Sequence, residues 1–171
     1  MSYGILLLRV VVGLAFVGHG TQKVFGWFGG YGPKGTGGFF ASLGYRAGVL
    51  MAVAAGLSEA VGGTLLALGF VTPLAGALLA MVMINAIASV TFKKGFMLGS
   101  ELEIAYLATA VALAAIGPGR FSIDRVIGWD DNISGVWWGV AALGAALVVS
   151  FLTLTLGRTR PVGQKEPVAQ T

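Results

Sequence analysis

The chain has 171 residues, 56% of them hydrophobic and only 11% charged, with a net charge of +4. So few charges cannot cover a water-facing surface, where about 25% is usual, so lipid must be much of the solvent. Cysteine is absent and histidine occurs once, which excludes disulfides, thiolate metal sites and bis-His haem. The basic residues form no helix face of the nucleic-acid-binding kind.

Five apolar spans follow one another: Ile5 to Phe25, Ala47 to Val71, Pro73 to Phe92, Glu101 to Gly117 and Val136 to Leu156. Each is near the ~20 residues that cross a bilayer, the fourth being short. The first has no basic residue before it and no small-residue cleavage site after it, so it is expected to remain as a membrane helix, not a cleaved signal. Arg9, Gly13, Phe16, Gly20 and Lys23 share one of its sides, with the lone His19 beside them. The glycine-rich stretch after it, "GWFGGYGPKGTGG", does not match a phosphate loop, because its lysine precedes the glycine and no helix start follows. It is expected to be a tight loop folding back toward the headgroups.

In the second span Ala52, Ala55, Gly56, Gly62 and Gly63 surround Glu59. Small residues let membrane helices approach closely, so a packed helical bundle is expected. Thr72-Pro73 separates the second span from the third by a tight turn, since the residue before proline avoids helix. Asn85 projects from the third span and is read as interhelical glue. Ser100-x-x-Glu103 has the pattern of a capping box for the fourth, with Glu101 at a depth similar to that of Lys23. Gly117-Pro118-Gly119 ends the fourth span. Trp27-Phe28 and Trp137-Trp138 suit interfacial aromatic belts. The tail from Arg158 to Thr171 is expected to be disordered.

Five spans place Lys23, Lys34, Arg46, Lys93, Lys94, Arg158, Arg160 and Lys165 on one side and only Arg120 and Arg125 on the other. The bias puts the C-terminus in the cytoplasm. Charge within a span is costly, so Glu59 must be protonated, paired or wetted. At 1.5 Å per residue His19 and Glu59 differ in depth by roughly 3 Å, and are expected to meet. Arg9 lies some 10 Å shallower and is expected to snorkel outward.

Three stretches, "LLLRVVVGLAFVGHGTQKVFG", "GLSEAVGGTLLALGFVTPLA" and "SELEIAYLATAVALAAIGPGRFSID", resemble the motif blocks of the DoxX family, over about residues 5 to 127. Arg9, His19-Gly20, Lys23, Glu59, Gly62-Gly63, Glu101 and Gly-Pro-Gly-Arg120 keep the family's spacing. The resemblance implies a four-helix bundle over residues 1–127, to which this chain adds a loop and fifth helix over 128–157 and a tail over 158–171. It also implies a bacterial or archaeal plasma-membrane protein, related to the small DoxD-type subunit of thiosulfate:quinone oxidoreductase and working beside soluble redox enzymes. On that reading the bundle holds a quinone between His19 and Glu59 as the catalytic pair, with Arg9, Lys23, Asn85 and Glu101 as a binding or structural cluster. No metal, haem or flavin is implied. A membrane scaffold that docks partner enzymes is the alternative. A small-anion or proton transporter using Arg9 and Glu59 is the third reading.

Overall fold

The computed structural model describes residues 2–92 and 99–159. Among these the chain is helical throughout: α1 (Ser2–Val24), α2 (Gly32–Ser42), α3 (Gly48–Leu68), α4 (Thr72–Ala86), α5 (Glu101–Ile116), α6 (Ile123–Val126) and α7 (Val136–Leu156). A π-helical turn, Ile87–Thr91, continues α4. Among the described residues four helical segments are long and apolar enough to cross a membrane: Tyr3–Val24, Gly48–Leu68, Thr72–Thr91 and Val136–Leu156. At 16 residues α5 covers only about 24 Å and is not one of them, so the expected count of five spans is met by four. Leu14, Leu50, Val148 and Phe151 are all more than half exposed, as lipid-facing side chains are.

Glycine decides how the helices meet. A Cβ on Gly13 would stand 2.5 Å from the carbonyl oxygen of Gly63, and one on Gly20 equally close to that of Gly56. The α1 and α3 backbones therefore touch at two points, and each seven-residue spacing on one helix answers the other. Gly76 faces Ala110 and Ala114 in the same way, seating α4 on α5, and Gly139 seats α7 on α5 against Ala115. Without a hydrophobic drive between helices in lipid, this close approach is what dispersion requires. The buried core between them holds Val12, Phe16, Leu66, Leu79, Val82, Met83 and Leu113.

The turn from α3 to α4 is tight, as expected at Thr72-Pro73. Gly69 is left-handed at φ 63°, and Val71 adopts φ 45°, a strained value for a β-branched residue. The tight loop expected after α1 is a correction. Residues 32–42 form a helix, and it begins at the Gly-Pro step judged unable to start one. Four of its 11 residues are glycine, which disfavours helix, so tertiary contact imposes the structure. A Cβ at Gly37 would run into the Val49 backbone, and one at Gly48 into the carbonyl of Gly37, so α2 lies directly on the start of α3.

Candidate functional site

The residues singled out from the sequence fall in four places. The first is the α1–α3 interface, where Lys23 extends from the last turn of α1 and its Nζ lies 2.5 Å from Glu59 Oε2. Glu59 is 3% exposed and sits in mid-helix, facing α1. This is a correction to the expected His19–Glu59 contact. His19 is exposed, its Nδ1 lies 3.3 Å from Gln22 Oε1, and no hydrogen bond joins it to Glu59. Lys23 follows His19 by one turn, and its long side chain spans what the imidazole cannot.

Beside this pair, at the end of the bundle that carries α2, opens a cleft of about 290 Å³ lined by Gln22, Lys23, Gly29, Gly30, Tyr31 and Thr36. Gln22 braces its loop wall by donating to the Phe28 carbonyl at 3.2 Å. Gly30 approaches the Gln22 backbone so closely that any side chain there would collide with it. Phe28 is held at φ 53° with its ring 76% exposed, as is Trp27 at 57%, where interfacial aromatics belong. Lys23 is thus shared between Glu59, which its ammonium meets, and the cleft that it helps to line. The sequence pointed to Lys23 but not to Gln22, Tyr31 or Thr36. Their role depends on α2, which the glycines concealed.

Asn85 stands in the second place, and it is interhelical glue. Its Nδ2 donates to Ser150 Oγ and to the Met81 carbonyl, both at 2.9 Å, while its Oδ1 accepts from Thr153 at 2.8 Å and Tyr45 at 3.3 Å. Tyr45 Oη also lies 2.9 Å from Ser89 Oγ in the π-helical turn. These bonds tie α4 to α7 and to the α2–α3 link.

Glu101 is the third, exposed at the start of α5 and making no hydrogen bond with Lys23. The capping box expected there is also corrected: Ser100 is the N-cap residue, but its side chain makes no capping bond. Lys93 and Lys94 lie outside the described residues.

Arg9 is the fourth, at the α6 end, and it overturns the snorkelling expectation. It is 1% exposed, with Nη1 donating to the Pro118 carbonyl and Nη2 to the carbonyls of Phe121 at 2.6 Å and Ala67 at 3.4 Å. The Pro118 carbonyl of the Gly117–Gly119 turn points inward, so both terminal nitrogens of the guanidinium are bonded without reaching water, and its buried Nε alone has no partner. Asp124, which the sequence reading passed over, is fully buried next to it. Its carboxylate accepts from Val71 N at 2.8 Å and from Thr72 N and Oγ1 at 3.2 and 3.0 Å. It therefore caps α4 from another part of the chain and holds the strained Val71 in place. Arg9 and Glu59 occupy separate sites, each with its own partners.

The family model for DoxX matches residues 4–92 of this chain. A Bacillus subtilis (strain 168) protein named "Putative oxidoreductase CatD" is 36% identical over 124 residues, covering 72% of this chain and 87% of its own. The chain belongs to the DoxX family. A second relative, from Mycobacterium tuberculosis (strain ATCC 25618 / H37Rv) and named as an uncharacterized membrane protein, is 32% identical over 134 residues, covering 71% of this chain and 79% of its own. No solved structure matches. The DoxX match takes in α1 to α4 with the Lys23–Glu59 pair and the cleft, and it stops short of the third sequence block at residues 100–124. The protein is thus a multi-pass membrane protein of the DoxX family, and the pair and cleft lie in its family-matching half.

Proposed function

We propose that this DoxX protein is the membrane subunit of a quinone-linked redox complex, receiving a quinone headgroup in the cleft beside Lys23 and Glu59. The observation that carries this reading is a buried carboxylate paired with a lysine that lines a cleft of about 290 Å³. That volume suits a single ring, just below the usual range for ligand pockets, and leaves an isoprenoid tail to the lipid. Lys23, Gln22, Tyr31 and Thr36 supply donors for carbonyl oxygens. Reducing a quinone takes two electrons and two protons. Lys23 donates a hydrogen bond to the ring oxygen, and Glu59 holds and releases a proton behind it. The electrons come from a soluble partner enzyme, and His19, exposed and hydrogen-bonded to the cleft residue Gln22, passes the protons in. The oxidoreductase name of the Bacillus relative supports the redox class.

Glu59→Gln keeps the shape and removes the carboxylate. We expect the folded protein to remain in the membrane while quinone reduction by the partnered complex falls at least about a hundredfold, the scale of lost acid–base catalysis. Unchanged turnover would leave the pair as a structural clamp and favour the scaffold reading. That second reading draws on Lys34 and Arg46, exposed at the α2 end with no salt-bridge partner among the described residues.

The same proposal takes α5, packed against α4 and α7, as the fifth crossing, and places the α2 end in the cytoplasm of a bacterial or archaeal cell. A C-terminal alkaline phosphatase fusion should be inactive and a C-terminal green fluorescent protein bright. The reverse pattern would turn the protein over in the membrane.

A further inference from the structure

Just past α7, three residues fold back on the link between α2 and α3. Arg46 N–H donates to the Gly157 carbonyl at 2.9 Å, and Thr159 N–H to that of Gly44 at 2.8 Å. Arg158 donates from Nε and Nη2 to the Leu43 carbonyl at 3.1 and 2.6 Å, and its guanidinium lies 5.2 Å from the centre of the Tyr45 ring. The start of the tail, expected to be disordered from Arg158 onward, is therefore ordered as far as Thr159. Residues 160–171, which include Arg160 and Lys165, lie outside the described residues.

Leu43 is the C-cap residue of α2; at the other end Tyr31 makes no side-chain capping bond, and within the last turn Ser42 Oγ donates to the Phe39 carbonyl at 2.7 Å. A short glycine-rich helix does not hold itself, so its place depends on what grips it. It is gripped by the Gly37–Gly48 contact with α3 and, just past its C-terminus, by the Gly157–Thr159 segment, in which Arg158 holds the Leu43 carbonyl. Tyr45, clamped under Arg158, carries the grip into the membrane through Ser89 and Asn85. At the other end of α2 stand Tyr31 and Thr36, the wall of the cleft beside Gln22 and Lys23.

We infer that Arg158 is a positioning residue for the cleft: by gripping the C-terminus of α2 it fixes the Tyr31–Thr36 wall beside Lys23. The link to ligand binding rests on the quinone reading above, whereas the grip itself does not. An Arg fork on one carbonyl gives two charge-assisted hydrogen bonds, which lysine cannot reproduce while stacking on a ring.

The chain has no cysteine, so labels can be placed without background. Gly18→Cys has open space for its side chain, and Lys34→Cys is exposed on the first turn of α2. Spin labels at these two sites report where α2 lies relative to α1. In the full chain, Arg158→Ala should broaden this distance distribution and weaken decylubiquinone binding roughly tenfold. Arg158→Lys keeps the charge that orients the protein and should give an intermediate result. If Arg158→Ala accumulates poorly, the lysine variant decides alone. A distance distribution unchanged from the wild type in the folded variant overturns the inference. A broadened distribution in a protein whose wild type binds no decylubiquinone supports the grip and removes the quinone reading.

Discussion

Replacing Lys23 with methionine should destabilise the bundle by up to about 3–5 kcal/mol, the result of removing one partner of a fully buried ion pair, because Glu59 is buried while the Lys23 side chain keeps 22% exposure. The chain is favourable ground for that outcome. Glu59 is 3% exposed, and its hydrogen-bond partner is the Lys23 ammonium. Methionine preserves the apolar stem along α3 but leaves the buried carboxylate without its ion-pair partner. Uptake of a proton by Glu59 would cap the cost, which is why the lower end of the range is the more informative threshold. The double variant Lys23→Met, Glu59→Gln removes both charges and should recover most of the loss, because matched neutral groups are often tolerated where a broken pair is not. Unfolding of the two singles and the double in one detergent closes the cycle. Additive losses would mean that the two groups do not interact, and the proposed site would go with them.

The same pair shows what the sequence could and could not reveal. Depth along the helices was readable, because 1.5 Å per residue places His19, Lys23 and Glu59 in one zone. Reach was not. Comparing backbone depths favoured His19, whereas the longer lysine side chain, one turn further on, makes the contact. Four of the five expected spans were legible from their apolar runs, and Pro73 marked the α3–α4 turn. Helix α2 was hidden because its glycines argue against helix, and only the backbone contacts of Gly37 and Gly48 with their neighbours explain it. Asp124 and the carbonyls around Arg9 were hidden for a different reason. Partners 50 to more than 100 residues apart in sequence carry no local signal of one another. The capping pattern at Ser100 shows the converse: a good local motif that the described structure leaves unformed.

Arg9→Leu should abolish most of the folded protein, and Arg9→Lys should fall between it and the wild type. The guanidinium bonds the carbonyls of Pro118, Phe121 and Ala67, so its loss strands one buried acceptor, at roughly 1–3 kcal/mol, and two part-buried ones at less. It also leaves the fully buried Asp124 without its nearby cation. A loss of several kcal/mol consumes much of the ~5–15 kcal/mol that holds a typical domain. Lysine retains the charge but has no planar fork, so it can serve the turn carbonyls only in part. Gly69 constrains the same spot, since a side chain there would run into the guanidinium. Gly69→Ala should therefore resemble a mild Arg9 defect, and adding it to Arg9→Leu should cost less than it does alone in the space the arginine vacates. Yield of monodisperse protein and thermal midpoint in detergent measure all four variants. A silent Arg9→Lys together with a well-folded Arg9→Leu would mean that Arg9 faces water after all, and that the carbonyl cage at the α6 end does not hold the bundle.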